Sequence, residues 1–298
     1  MATIDLASQG DRSGAPEDMT VASADGLALV GRCWRPKDEP RGVVCLVHGH
    51  GEHSGRYGHV AAALAMGGLA TVALDLRGHG RSGGARGDAP SFGHLLDDVS
   101  VSLARAGDLF PGRPRFLYGH SLGGNLVLNY ALRRASGADG TLAVAGVVAT
   151  SPWLVLAQQP PAWKSALARV LGVMAPAVAL RTGLAIEALS HDPAVIRAYQ
   201  ADPLVHDFLT SRLYLSIVEA GAWALAKAGE FPPVPILILH GGDDRVTLAA
   251  SSAEFAARVP ERCVYREWPG QAHETHNEPE REEVLAFIRE WLVGQIER

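Results

Sequence analysis

At 298 residues the chain is long enough to bury a core without disulfide or metal staples. With 47% apolar and 20% charged residues it reads as a soluble globular protein, not a disordered or fibrous one. A net charge of −5 gives no reason to expect nucleic acid, and three widely spaced cysteines (Cys33, Cys45, Cys263) argue against a disulfide framework or zinc site.

Residues 1–18 are polar and read as a flexible N-terminal segment lacking the apolar stretch of a signal peptide. The apolar run Val170–Leu180 is far short of a membrane span, so a soluble, cytoplasmic protein is expected. Thr20–Ser23 and Leu27–Trp34 flank Asp25-Gly26, a hairpin signal. Gly42–Val47, Leu69–Leu74, Arg115–Tyr118, Ala145–Thr150, Val234–His240 and Cys263–Trp268 follow as strand-like runs. Most are continuously apolar, as strands of a parallel sheet covered on both faces are. Helical periodicity fills the gaps over Ser91–Phe110, Leu122–Arg134 and Glu278–Ile296, the last with Val284, Leu285, Ile288, Leu292 and Ile296 along one stripe. This alternation predicts an α/β fold with a mostly parallel, doubly wound sheet.

The alternation stops between Trp153 and Glu230. Trp163–Met174 reads as an amphipathic helix, and prolines at 160, 161, 176, 193 and 203 break the rest into short pieces. We read 153–230 as a helical cap inserted into a core formed by 19–152 and 231–298. Such a cap would lie over the C-terminal edge of the sheet, where open α/β sheets bind ligands. Apolar cap side chains left over from packing would line an acyl tunnel, with Trp153, Trp163, Leu167 and Leu171 as candidates.

Two stretches match Gly-x-Ser-x-Gly, so the pattern alone is weak. Gly119-His120-Ser121-Leu122-Gly123 follows a strand signal and precedes a helix, the setting a nucleophile elbow needs. Gly80-Arg81-Ser82-Gly83-Gly84 continues as loop, so Ser82 reads as a loop residue. A serine hydroxyl needs a base, and the base an orienting acid, in the chain order Ser, Asp/Glu, His. Asp243 and Asp244 follow one late strand, and His273 and His276 follow the next. On the residues alone, which aspartate and which histidine act stays open; His120 and His240 read as supporting hydrogen-bonders. The oxyanion donors would be the N–H of Leu122 and one from the loop beginning His48-Gly49-His50-Gly51.

The stretches HGHGEHSGRY (48–57), DLRGHGRSGG (75–84), GHSLGG (119–124), HGGDDRV (240–246) and AHETHNEP (272–279) together resemble the monoacylglycerol lipase family of α/β-hydrolases, close to bacterial lysophospholipases. The resemblance implies an α/β-hydrolase fold with Ser121 as nucleophile, Asp244 as acid, His273 as base, and the N–H groups of His50 and Leu122 as oxyanion donors. It further suggests Glu52, Arg56 and His276 for the alcohol side, although an Arg–Glu pair that only pins the loop fits the residues equally well. The family commonly has a small residue where His50 stands.

The leading expectation is therefore a serine ester hydrolase for single-chain lipid esters, without cofactor or metal. Alternatives are a short-chain carboxylesterase, a lysophospholipase, or a non-catalytic binding protein on the same fold. Dehalogenase or epoxide hydrolase chemistry would need an aspartate where Ser121 stands. Expected partners are a small lipid ester and, transiently through the apolar cap, a membrane or micelle surface.

Overall fold

The computed structural model describes residues 15–134 and 144–297. In chain order these form β1 (Glu17–Ala22), β2 (Ala28–Trp34), β3 (Gly42–Val47), α1 (Gly58–Ala65), β4 (Leu69–Leu74), α2 (Phe92–Leu109), β5 (Arg115–His120), α3 (Leu122–Arg134) and β6 (Gly146–Thr150). There follow α4 (Ala162–Met174), β7 (Ala179–Arg181), α5 (Pro193–Ala201), β8 (Phe208–Thr210) and α6 (Ser211–Lys227). The chain closes with β9 (Ile236–Gly241), α7 (Ala249–Ala257), β10 (Cys263–Trp268) and α8 (Arg281–Ile296).

Eight strands make one sheet in the order β1-β2-β4-β3-β5-β6-β9-β10. The pairs β1/β2 and β2/β4 are antiparallel and the rest parallel. The unbroken apolar runs are explained by β3, β4, β6 and β9, in which every residue is buried. Successive residues of β3 feed opposite faces. Val43, Cys45 and Val47 join the core beneath α2, α3 and α6, whereas Val44 and Leu46 join the one beneath α1 and α8. The fold is α/β, with helices on both faces of a mostly parallel sheet.

From β3 the chain steps outward to β4, and after β5 it proceeds in the other direction through β6, β9 and β10. The order reverses between β3 and β5, so the loops leaving their carboxyl ends diverge and open a crevice there.

Three expectations need correction. β1 begins at Glu17, because residues 17–22 pair with β2, so the flexible segment cannot run to 18; residues 1–14 lie outside the described residues. Within 153–230, β7 and β8 form a two-stranded antiparallel ribbon. The same insertion contains α6, a long helix that packs on the core. Leu213, Ile217, Ala224 and Leu225 of α6 join the main core, and Asn125 and Asn129 of α3 donate to the carbonyls of Ile217 and Ala220 at 3.2 and 3.1 Å. Its inner face is partly alanine and glycine, which allows close approach but leaves little periodic signal.

Candidate active site

Ser121 sits where β5 passes into α3, with φ of +52°, a left-handed conformation that costs a non-glycine residue about 1 kcal/mol or more. Neighbouring glycines make the turn possible. A Cβ on Gly119 would strike the carbonyl of Gly123, and one on Gly123 would strike the carbonyl of Val47. Gly123→Ala is accordingly expected to cost about 3 kcal/mol, read as an earlier midpoint in urea unfolding. The strained residue is held by its own backbone: Ser121 N–H donates to Thr150 O at 3.0 Å, and Trp153 N–H donates to Ser121 O at 2.9 Å. Ser82 is structural, accepting from Val30 N–H (2.9 Å) and donating to Asp75 O (2.6 Å).

Of the two neighbouring aspartates, Asp244 meets the imidazole. His273 Nδ1 donates to Asp244 Oδ2 at 2.7 Å, and the Asp244 side chain is fully buried, while Asp243 is exposed. The clamp on Asp244 is extensive. Its Oδ1 accepts the N–H groups of Val246 and Thr247 at 2.7 and 2.9 Å; its Oδ2 also accepts Thr247 Oγ1 at 2.8 Å and lies 3.0 Å from His240 Nε2. Burial opposes its charge, but the two imidazoles overcome this and hold it well below the usual carboxylate range. Burial likewise opposes a charged His273, yet the facing Asp244 raises its pKa above the ordinary value. Ser151, itself at φ +43°, donates its hydroxyl to His273 O at 2.7 Å. His120 is buried beside this pair, bonded to Thr150 Oγ1 at 3.1 Å, which is the supporting role expected for it and for His240. Ser121 and His273 open onto one cavity without being hydrogen-bonded, a contact that commonly tightens only with substrate.

Leu122 begins α3, so its N–H has no helical acceptor, and His50 lies in the loop leaving β3. Among the described residues neither N–H has a hydrogen-bond acceptor. The β3 loop is stiffened from within. His48 accepts Leu76 N–H at 2.9 Å, and Glu52 accepts Gly49 N–H at 2.6 Å. The His50 ring packs against His79, His206 and Trp153, and burial pushes its pKa down to about 3.

Glu52 and Arg56 form an ion pair at 2.5 Å, and Arg56 makes a second, two-pronged pair with Glu274 at 2.9 and 2.8 Å. All three line the cavity, with Tyr199 of α5 stacked 4.7 Å from the guanidinium. Glu52 and Arg56 therefore do pin the loop, and they also face the cavity. His276, suggested for the alcohol side, is not brought to it. A short 3₁₀ turn (Thr275–Asn277) carries it behind, 1% exposed and stacked on Tyr57 at 5.1 Å. Glu274 instead lines the cavity beside Arg56, where the resemblance suggested His276. Its charge was visible next to the base, but its partner Arg56 is 218 positions away.

The cavity measures about 970 Å³. Its other walls are largely apolar, with Trp153, Leu156, Leu180, Leu189, Leu209 and Tyr214 among them. Of the acyl-side candidates only Trp153 lines it. α4 turns Lys164 and Ala168 inward and packs on α6, where Gly172 approaches Leu215, so Trp163 and Leu167 point to solvent at 64% and 44% exposure and Leu171 is half-buried off the cavity wall. The cap also grips the base loop. Glu274 N–H donates to Leu189 O at 2.8 Å, His273 N–H reaches Ala188 O at 3.5 Å, and Ser190 Oγ donates to Asn277 O at 2.9 Å.

A family model described as serine aminopeptidase, S33, matches residues 38–280. A monoacylglycerol lipase of Mycolicibacterium smegmatis is 35% identical over 284 residues, covering 93% of this chain and 97% of that protein. A phospholipase of Bacillus subtilis is 31% identical over 255 residues, covering 85% of this chain and 95% of that protein. Among solved structures, the monoacylglycerol lipase of Paleococcus ferrophilus matches with a TM-score of 0.79 at 33% identity, across 94% of this chain and 99% of that one. With a family model spanning most of its length and such relatives matched nearly end to end, the chain belongs to the serine aminopeptidase S33 family and, among α/β-hydrolases, to the group of the monoacylglycerol lipases.

Proposed function

We propose that the chain hydrolyses single-chain lipid esters, monoacylglycerols first among them, to a free fatty acid and the alcohol through an acyl-enzyme on Ser121. Family membership makes it an ester hydrolase. The observation that carries the finer reading is the Asp244–His273 bond of 2.7 Å opening, with Ser121, onto a cavity that is polar at one end and apolar along its walls.

In this mechanism Ser121 Oγ attacks the ester carbonyl while His273 Nε2 takes its proton, and Asp244 steadies the resulting imidazolium. The N–H groups of His50 and Leu122 receive the oxyanion. As the tetrahedral adduct collapses, the alcohol leaves with the proton from His273. Water then enters by the same route and releases the fatty acid. The glycerol hydroxyls take the end bearing Glu52, Arg56 and Glu274, where a bare alkyl chain would leave charges unpaired. The acyl chain takes the apolar walls, roofed by a cap comprising 153–210, with α6 as its footing on the core.

The outward stripe of α4, with Trp163, Leu167, Val170, Val173 and Met174 exposed, supports transient contact with a membrane or micelle surface. No helix of the described residues is long and apolar enough to cross a membrane.

Each methylene buried along the apolar wall contributes about 0.8 kcal/mol. If that energy is realised in the transition state, kcat/KM climbs about three- to fourfold per added carbon until the cavity is full. Medium-chain monoacylglycerols are thus expected to outrun acetate esters in a glycerol ester series of about two to sixteen carbons. A maximum at about two to four carbons would leave a short-chain carboxylesterase instead. The Bacillus subtilis phospholipase favours phospholipid esters as a second reading, and the same series with single-chain lysophosphatidylcholines decides it.

A further inference from the structure

The polar end of the cavity holds one more charge than ester hydrolysis uses. Every contact to Glu52 is a donor: Gly49 N–H and Tyr57 Oη–H, both at 2.6 Å, and Arg56 at 2.5 Å. The same holds for Glu274, which accepts Arg56 at 2.9 and 2.8 Å and Asn277 Nδ2 at 2.6 Å. Carboxylates that only accept are ionised. Burial works against the charge on Glu274, but Arg56 overcomes it and brings its pKa down to about 2. The neighbouring imidazoles add no surplus positive charge. Burial holds His276 at about 3 and His59 below its ordinary value, while His53 and His191 are matched by Asp202 and Glu278. Elsewhere along the cavity the charges of Lys164, Arg181 and Arg245 are matched in number by Glu187, Asp243 and the Asp207 paired with Arg181, so at the polar end two carboxylates face one guanidinium.

This surplus lies beside the reacting atoms. Gly49, bonded to Glu52, is so close to the nucleophile that a Cβ on it would lie 3.3 Å from Ser121 Cβ, and Glu274 directly follows His273. Glu274 also occupies the two-pronged face of Arg56, the face on which a guanidinium would otherwise receive a phosphate or carboxylate of a ligand.

We propose that Glu274 sorts the alcohol half of the substrate by charge, blocking the anion-binding face of Arg56 and leaving the polar end of the cavity net negative, so that neutral and cationic head groups are admitted and anionic ones refused. This sorting rests on the reading of Ser121 as nucleophile and of the polar end as the alcohol site.

The test measures kcat/KM of the full chain at neutral pH for octanoyl esters that differ in the charge of the alcohol. One pair is 1-octanoylglycerol and its 3-phosphate; the other is 4-carbamoylphenyl and 4-carboxyphenyl octanoate. Wild type is expected to prefer the neutral member of each pair. Glu274→Gln is expected to shrink the neutral-over-anionic ratio about 30-fold for the carboxylate pair, the effect of unit charges about 8 Å apart at an effective dielectric of about 20, and by more for the phosphate pair, whose phosphate carries more than one negative charge at neutral pH. Glu274→Asp, which keeps the charge, is expected to retain most of the ratio. Taking ratios within one variant cancels any general loss of rate through His273, and comparing variants cancels the intrinsic reactivity of each ester. Unchanged ratios in a Glu274→Gln protein that still reacts with a fluorophosphonate would overturn the role. So would a wild-type preference for the anionic esters, a result that needs no variant to fold. If neither glycerol ester is hydrolysed, the monoacylglycerol reading fails while the aryl pair still decides the question of charge.

Discussion

Ser121→Ala is expected to lower kcat by about 10⁶-fold, and His273→Ala by a similar factor, because nucleophile and base act as one unit. The residual rate would come from the oxyanion donors and the cavity, which neither substitution touches. Alanine at 121 removes only a hydroxyl and keeps the φ +52° turn, so the fold is expected to survive. The measurement is single-turnover and steady-state hydrolysis of an activated ester, with circular dichroism as the control for folding. Ser82→Ala provides the contrast. Its hydroxyl joins β2 to the loop after β4, and kcat should stay near wild type. A surviving rate within about tenfold of wild type for Ser121→Ala would place the nucleophile elsewhere.

Asp244→Asn is expected to cost about 10⁴-fold in kcat, whereas Asp243→Asn should be mild. The reason lies in the clamp on Asp244. Its Oδ1 is fixed by two backbone N–H groups, so an asparagine would keep its carbonyl oxygen there and turn its NH₂ toward the Oδ2 position. That position now receives hydrogens from His273 Nδ1 and Thr247 Oγ1, with His240 Nε2 at 3.0 Å. A donor facing donors forces His273 into the other tautomer, with its hydrogen on Nε2, where the lone pair must stand to accept the proton of Ser121. Asp243 is exposed and makes no such contact, so the larger loss from Asp243→Asn would overturn the assignment of the acid.

The ease with which the sheet could be read comes from β3, β4 and β9, whose burial on both faces writes an unbroken apolar run. The elbow was equally legible, since Gly119 and Gly123 fill positions where a side chain would strike backbone. The helices α1 and α7 were not legible, because alanine and serine on several sides blur their apolar stripes. The periodicity of Trp163–Met174 gave the helix but not its orientation. An amphipathic stripe reads as core-facing, yet here it faces out and Lys164 faces the cavity. Neighbouring residues posed the hardest problem. Asp243 and Asp244 differ only in which way a turn points them, and one 3₁₀ turn separates His276 from the site the family resemblance suggested for it.

The bonds between the cap and the base loop make the roof of the cavity part of its machinery. Moving residues 188–190 outward to admit a lipid takes away the carbonyl that Glu274 N–H donates to, the acceptor His273 N–H leans on, and the hydroxyl held by Asn277 O. The loop would then be held at His273 by Ser151 Oγ on the carbonyl O and by Asp244 on the ring, so the roof and the base loop share one set of bonds.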